Sequence, residues 1–525
     1  MLKIQSYLTC DTPKKRTGCL VIALVAASAI ATLVDGLFIL IAGGTSEGSH
    51  YNLYRIAFIA TCIFCLCCFF IFRHQAQYEP EKVLFPIILS ISLVFACSIS
   101  VCRISWDVES HIDFMLEWAK PVPGMTYSAA EYLVTHPSDI TSDLTIKSIS
   151  DTKTELNTLD KTDTGIDIDH NPSNLIKHIS SLPGSLIYML GTMIGLPFTT
   201  KYIIAHLVYV VINAAAIYYG MHRLKQGKML YAVIATFPTA VFLASNYSYD
   251  YWVTCLSMLG FAYLIGELQR PDELLTRKHA AIIITCFLAA FLPKAIYFPL
   301  TLSCFLIGRD KFRSSKELVQ FRFFVILVFL FLIATFLVPM IMNDPGISDS
   351  RGGEDVNSTN QIAYIISNPL EFIQTLGFFL LNYLSIEGTR SYIGFFAYLG
   401  LTPKVTWIIS LVLLAVTAVT DGGIPSSRKS AMKQILYMYS IALTTVALVS
   451  TALYISFTAV GSSTIAGCQP RYLIPLVFPA LYFTGLLFKG FKQTKPSAIY
   501  NTVILGATTA SLLFAINASY MMRLV

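Results

Sequence analysis

"VLFPIILSISLVFACSISVC", residues 83 to 102, carries no charged side chain, and its reading decides the fold. Crossing about 30 Å of hydrocarbon as a helix takes about 20 apolar residues, because each backbone amide must be satisfied within its own segment. The stretch is a membrane span, and much of the chain repeats its pattern. Of 525 residues, 55% are hydrophobic and 13% charged, with mean hydropathy +0.64. An ordinary soluble chain carries about a quarter charged residues. The composition therefore predicts an all-α polytopic membrane protein.

Working outward from that span, thirteen transmembrane helices are predicted. They lie near 18–43, 53–72, 83–102, 202–221, 229–245, 250–266, 279–293, 296–308, 322–342, 405–420, 434–456, 472–488 and 499–521. The fifth to eighth are short or closely joined. No cleavable signal peptide is expected, since the first apolar run is too long for one and lacks a small-residue cleavage pattern.

Cations set the orientation, because short loops rich in Lys and Arg stay cytoplasmic. With the N-terminus inside, seven short inner segments hold 23 of the 37 Lys and Arg, and the much longer outer segments hold 12. The C-terminus is then outside, and the location is the cell (plasma) membrane. The net charge of +6 is an orientation signal rather than a nucleic-acid footprint, because the cations are spread over many loops. Two large outer loops result, 103–201 and 343–404. Each contains an apolar run placed along the membrane surface, 184–198 and 369–386. Letting 369–386 cross would invert everything downstream.

Within the first loop, residues 137–174 are rich in Asp, Thr and Ser and poor in aromatics, which predicts a flexible acidic insertion. Its run "DTGIDIDHNP" sets Asp163, Asp167, Asp169 and His170 as hard ligands for a divalent cation, against the plainer reading of a solvated acidic loop. Cys62, Cys65, Cys67 and Cys68 lie inside a span, where a thiol acts as a small hydrophobe, so no metal site is read there.

The stretch after the opening span, "ISWDVESHIDFMLEWAK" at 104–120, gathers four carboxylates and a histidine at a membrane edge. As a helix it places Asp107 and His111 on one face with Phe114 and Trp118, and Glu109, Asp113 and Glu117 on another. A carboxylate partly desolvated at that depth is suited to general-base work. Asp107 would deprotonate an acceptor hydroxyl that attacks an activated sugar, while the donor phosphate meets Lys294 or Arg471. The plain alternative is a wet amphipathic helix start. Asp35, His206 and Lys294 are ionisable residues at membrane depth, each weighed against a boundary or snorkelling role. Tyr249 and Asp250 sit at an outer turn, where Asp250 also reads as an ordinary turn residue.

"SWDVESH", "SLPGSLIYMLGTMIGLPF", "ASNYSYDYW", "PKAIYFPL" and "GCQPRYLIPL" occur in this order. The ordered set resembles a bacterial family of predicted polytopic membrane proteins of unknown function, related to the GT-C glycosyltransferases, from about residue 83 to the end. In that family an Asp-Glu-x-x-His element falls on Asp107, Val108 and His111, with Val108 in place of Glu and Glu109 adjoining. A Ser-Tyr-Asp element falls on Ser248, Tyr249 and Asp250, and a Lys and a Tyr fall on Lys294 and Tyr297. A Gln-Gly-Arg-Tyr element falls on Gln469, Pro470, Arg471 and Tyr472, and His206 stands where an Arg is frequent.

The resemblance implies N-terminal helices over 1–82 and a GT-C-like transmembrane module over 83–525. It implies an inverting membrane glycosyltransferase that moves a sugar from a polyprenyl-phosphate donor to a cell-surface glycan or teichoic-acid acceptor. Asp107, His111 and Glu109 would be catalytic, and Lys294, Tyr297, Arg471, Gln469, Tyr249, Asp250 and His206 would contact donor phosphate or substrate. The departures at Val108, His206 and Pro470 bear on activity. A lipid-linked glycan transporter or flippase, and a non-catalytic assembly protein, stay open as alternatives.

Overall fold

A computed structural model describes residues 13–41, 51–99, 104–136, 145–170, 176–342, 353, 355–421, 428–488 and 497–524. Three long apolar helices come first: α1 (Pro13–Ile41), α2 (Leu53–Ile71) and α3 (Pro80–Ile99). A small extramembrane layer follows, made of α4 (Val108–Ala119), β1 (Thr126–Ser128), α5 (Ala129–Thr135), α6 (Ile146–Leu159), β2 (Asp163–Asp167) and α7 (Leu182–Met193). The chain returns through α8 (Phe198–Arg223), α9 (Lys228–Ala235), α10 (Pro238–Ala244), α11 (Asp250–Leu268), α12 (Arg277–Phe291), a 3-10 segment (Ala295–Leu306) and α13 (Ser315–Met342). It ends with α14 (Ser358–Ser367), α15 (Pro369–Tyr383), α16 (Thr389–Ile393), α17 (Lys404–Thr420), α18 (Arg428–Phe457), α19 (Ile474–Thr484) and α20 (Ala498–Ser519).

Among the described residues nine helices are long and apolar enough to cross a membrane, or ten if α14 and α15, bent by 106°, form one crossing. The chain is an all-α polytopic membrane protein. Four of the thirteen expected spans fall short of the length needed, for visible reasons. The run 229–245 breaks into α9 and α10 at Pro238, which has no N–H to continue the ladder. The run 279–293 forms a 15-residue helix, and 296–308 becomes a 12-residue 3-10 segment holding Pro299. The run 405–420 reaches 17 residues. Residues 369–386 form only the 15-residue α15, which opens at Pro369.

Burial places α11 at the centre, with 72% of its apolar window covered, and α1 at the periphery, with 11%. Asp35, within α1, holds the hairpin to α2. It accepts from Asn52 N at 3.1 Å and pairs with Arg55, while Asn52 caps α2 by accepting from Tyr54 N and Arg55 N. That arrangement gives Asp35 a structural role.

The expectation of a flexible insertion over 137–174 is corrected for residues 145–170. Thr145 caps α6, whose Ile149 and Leu156 are buried two turns apart on one face. β2 pairs antiparallel with β1, Thr126 opposite Asp167. Lys201 reaches Asp160 at 2.9 Å, and Thr199 N donates to Asn157 Oδ1 at 2.9 Å, so the layer is fastened to the start of α8. Residues 137–144 and 171–174 lie outside the described residues.

The two ends of α11 carry different chemistry. At about 1.5 Å per residue its 19 residues separate Asp250 from Glu267 by about 26 Å. Glu267 gathers Arg223, His279 at 2.8 Å and Lys311 at 3.2 Å. Asp250 belongs to a second cluster.

Candidate functional site

The Asp250 cluster is assembled from four chain segments that end at the same side of the bundle. After α3 the chain turns at Asp107, which has φ 53° and occupies the N-cap of α4 without a side-chain cap bond. Aspartate tolerates this left-handed conformation better than most residues. The turn leaves the Asp107 carboxylate about one-third exposed, 3.8 Å from Arg471. One turn further on, His111 N donates to Asp107 O at 3.1 Å.

Asp250 opens α11, where a carboxylate suits the positive end of the helix dipole. Its own N–H donates to Ser248 Oγ at 3.1 Å, which fixes the turn. Lys294 follows α12 and donates to Asp250 Oδ1 at 3.0 Å. Arg471, at the head of α19, brings Nε to 2.5 Å from Asp250 Oδ2. The two atoms form an ion pair, and Arg471 Nη1 has no hydrogen-bond acceptor among the described residues. Asp250 and Arg471 are buried, and Lys294 is partly buried. Two carboxylates and two cations make the four-membered cluster formally neutral.

Aromatic rings floor it. The Arg471 guanidinium lies over Trp106 at 4.1 Å, and the Lys294 ammonium lies over Tyr472 at 3.4 Å and Tyr249 at 5.1 Å. Tyr297 Oη donates to Tyr472 O at 2.8 Å, and Tyr383 Oη donates to Gln469 O at 2.7 Å. These bonds hold the backbone on either side of Arg471. The Gln469 side-chain oxygen is buried without a donor.

His111 packs edge-on against Tyr249 with ring centroids 4.7 Å apart, and its Nδ1 has no partner. Burial pulls its imidazole down to about 4, against the opposing pull of the Asp250 and Asp107 carboxylates. The ring is therefore neutral near pH 7. A cleft of about 170 Å³, too narrow for a water molecule, is lined by His111, Ser248 and Tyr249 together with Ser180 and Tyr209.

The structure brings together Asp107, His111, Tyr249, Asp250, Lys294, Tyr297, Gln469 and Arg471. It does not gather all the expected residues. His206 is buried and stacked on Tyr247, with ring centroids 5.0 Å apart. Glu109 lies in the first turn of α4. Asp113 accepts from Tyr127 at 2.6 Å and Glu117 from His178 at 3.0 Å, which gives both structural partners. The proposed cation ligands also fail to converge: among the described residues no three His, Cys, Asp or Glu side chains are grouped for a metal. His170 instead contacts Lys120 O at 2.5 Å. Trp106 is the residue missed, and Tyr472 stood in the Gln-Gly-Arg-Tyr element without a role; the signal for both was adjacency to Asp107 and Arg471.

Fold and site together define a polytopic α-helical membrane protein with a buried, charge-balanced cluster at one end of its bundle. Residues 144–479 match the family model described as "Predicted membrane protein (DUF2142)", and the chain belongs to that family. The match includes Asp250, Lys294 and Arg471 and begins beyond Asp107 and His111. No curated protein and no solved structure matches the chain.

Proposed function

We propose that this protein is a GT-C-type membrane glycosyltransferase of a bacterial plasma membrane, taking a sugar from a polyprenyl-phosphate donor. The acceptor is a hydroxyl of a cell-surface glycan or teichoic acid on the outer face, with the N-terminus cytoplasmic. One observation carries the reading: a partly exposed carboxylate, Asp107, stands beside a buried guanidinium, Arg471, whose Nη1 donor has no acceptor among the described residues. Asp107 takes the acceptor proton as the acceptor oxygen bonds to the anomeric carbon. The bond from that carbon to the phosphate oxygen breaks with inversion, and the leaving phosphate keeps the electron pair beside Arg471 and Lys294. Asp250 is already held by both cations, so it sets their positions rather than acting as the base. Neutral His111 orients the Asp107 turn through its backbone.

The test is transfer by the full chain reconstituted in vesicles with a labelled polyprenyl-phosphate sugar and an external acceptor. General-base loss costs about 10²–10⁴-fold. Asp107→Asn is expected to fold normally and lose transfer by that factor. Transfer at the wild-type rate in Asp107→Asn removes the enzymatic reading, and movement of the labelled lipid across the vesicle without transfer favours a flippase.

A further inference from the structure

At the other end of the bundle a groove of about 690 Å³ opens between α12 and α13. Its walls include Leu275, Ile284, Phe321 and Phe324, and Arg277 and Arg313 stand at its mouth. α12 runs from Arg277 to Phe291, just before Lys294, so this mouth lies a helix length away from the Asp250 cluster. Only 22% of the α13 apolar window is buried, so the groove faces the hydrocarbon.

Among the described residues no carboxylate partners the guanidinium groups of Arg277 and Arg313, in contrast to Arg223 and Arg471. Glu317 also lines the groove, and its Oε2 accepts from Arg313 N at 3.0 Å. Two cations and one carboxylate leave one positive charge above an apolar trough. A phosphodiester with a single negative charge and an acyl chain complements both parts.

We infer that the groove between α12 and α13 is a binding site for an anionic phospholipid, its phosphate between Arg277 and Arg313 and one acyl chain along Ile284 and Phe324. A zwitterionic lipid fills the trough equally well but brings no net charge to the mouth. Discrimination between the two therefore rests on the arginines.

Native mass spectrometry of the full chain in micelles with equal phosphatidylglycerol and phosphatidylcholine reads which lipid is retained. Each arginine near a lipid phosphate contributes about fivefold. The wild type is expected to favour phosphatidylglycerol by about that factor per arginine, and Arg277→Gln with Arg313→Gln to lose the preference. Lys225→Gln, at the same end but lining another cavity, should keep it. Equal retention by the wild type overturns the inference, as does a preference that survives in the double variant or vanishes in Lys225→Gln. If the double variant does not fold, Arg313→Gln and the wild-type comparison decide.

Discussion

The Lys294 ammonium rests 3.0 Å from the Asp250 carboxylate across 44 residues of chain, the carboxylate buried and the lysine largely so. Neither is tolerable there alone. Removing one partner of a buried pair leaves an uncompensated charge and costs about 3–5 kcal/mol, whereas replacing both with apolar groups is often near neutral.

Asp250→Ala is thus expected to lower stability by about that amount, and Asp107→Ala by much less, since Asp107 is one-third exposed and 3.8 Å from its partner. Denaturant unfolding of the two variants makes the comparison. Equal losses would mean that Asp250 is not the structural anchor of the cluster.

Arg471→Lys keeps the charge but loses the planar fork and its unused Nη1 donor. Transfer from the lipid donor should fall by about 10- to 100-fold in kcat/KM, the cost of roughly one or two charged hydrogen bonds. The KM for the donor should carry most of the change if Arg471 binds phosphate in the ground state. An unchanged kcat/KM would mean that Arg471 serves only the fold.

His111 gives a pH signature. Its folded value, about 4, lies below the unfolded value of about 6.5, so above pH 6.5 both states are neutral. As pH falls from 6.5 towards 4 the unfolded state binds a proton that the folded state refuses, and stability declines by up to about 3 kcal/mol. His111→Asn should show a shallower decline over that window in denaturation midpoints. The charges of Asp250, Asp107, Arg471 and Lys294 act on the ring and are present in both proteins. Only the difference between the two slopes reports His111, and identical slopes would sink the assignment.

Gly184 tests the support beneath α4. A Cβ there would stand 2.2 Å from Tyr209 Oη and 3.1 Å from the Ala205 backbone oxygen, where α7 crosses α8. Gly184→Ala should cost about 1–3 kcal/mol through overpacking. Because Ser185 Oγ donates to Met115 O at 2.8 Å, the shift should also disturb α4 and its His111. A melting temperature equal to that of the wild type would show that the crossing is looser than the geometry requires.

Hydrophobic run length was the part of the fold legible in the sequence, because a helix in lipid must satisfy its backbone internally. It failed where proline cut the ladder, at Pro238 and Pro299, and where 279–293 and 405–420 made helices of only 15 and 17 residues. The acidic stretch misled by composition. Ile149 and Leu156 supply a narrow apolar stripe that an average over Asp, Thr and Ser conceals. At the site, residue type alone identified Asp107, Lys294 and Arg471 as charges too costly to strand at a membrane edge.

What the sequence determined by itself was the class of the molecule and the identity of the charges needing partners, since transfer cost depends on side-chain chemistry and run length. Partner choice was decided by tertiary structure. Asp250 read as a turn residue, yet it closes the cluster because α11, α12 and α19 meet at one end of the bundle and bring Lys294 and Arg471 to it. His206 had comparable chemistry and fell outside, for its helix stacks it on Tyr247 instead. A contact ion pair needs its charges within about 4 Å, so only the packing of distant segments selects which charges pair.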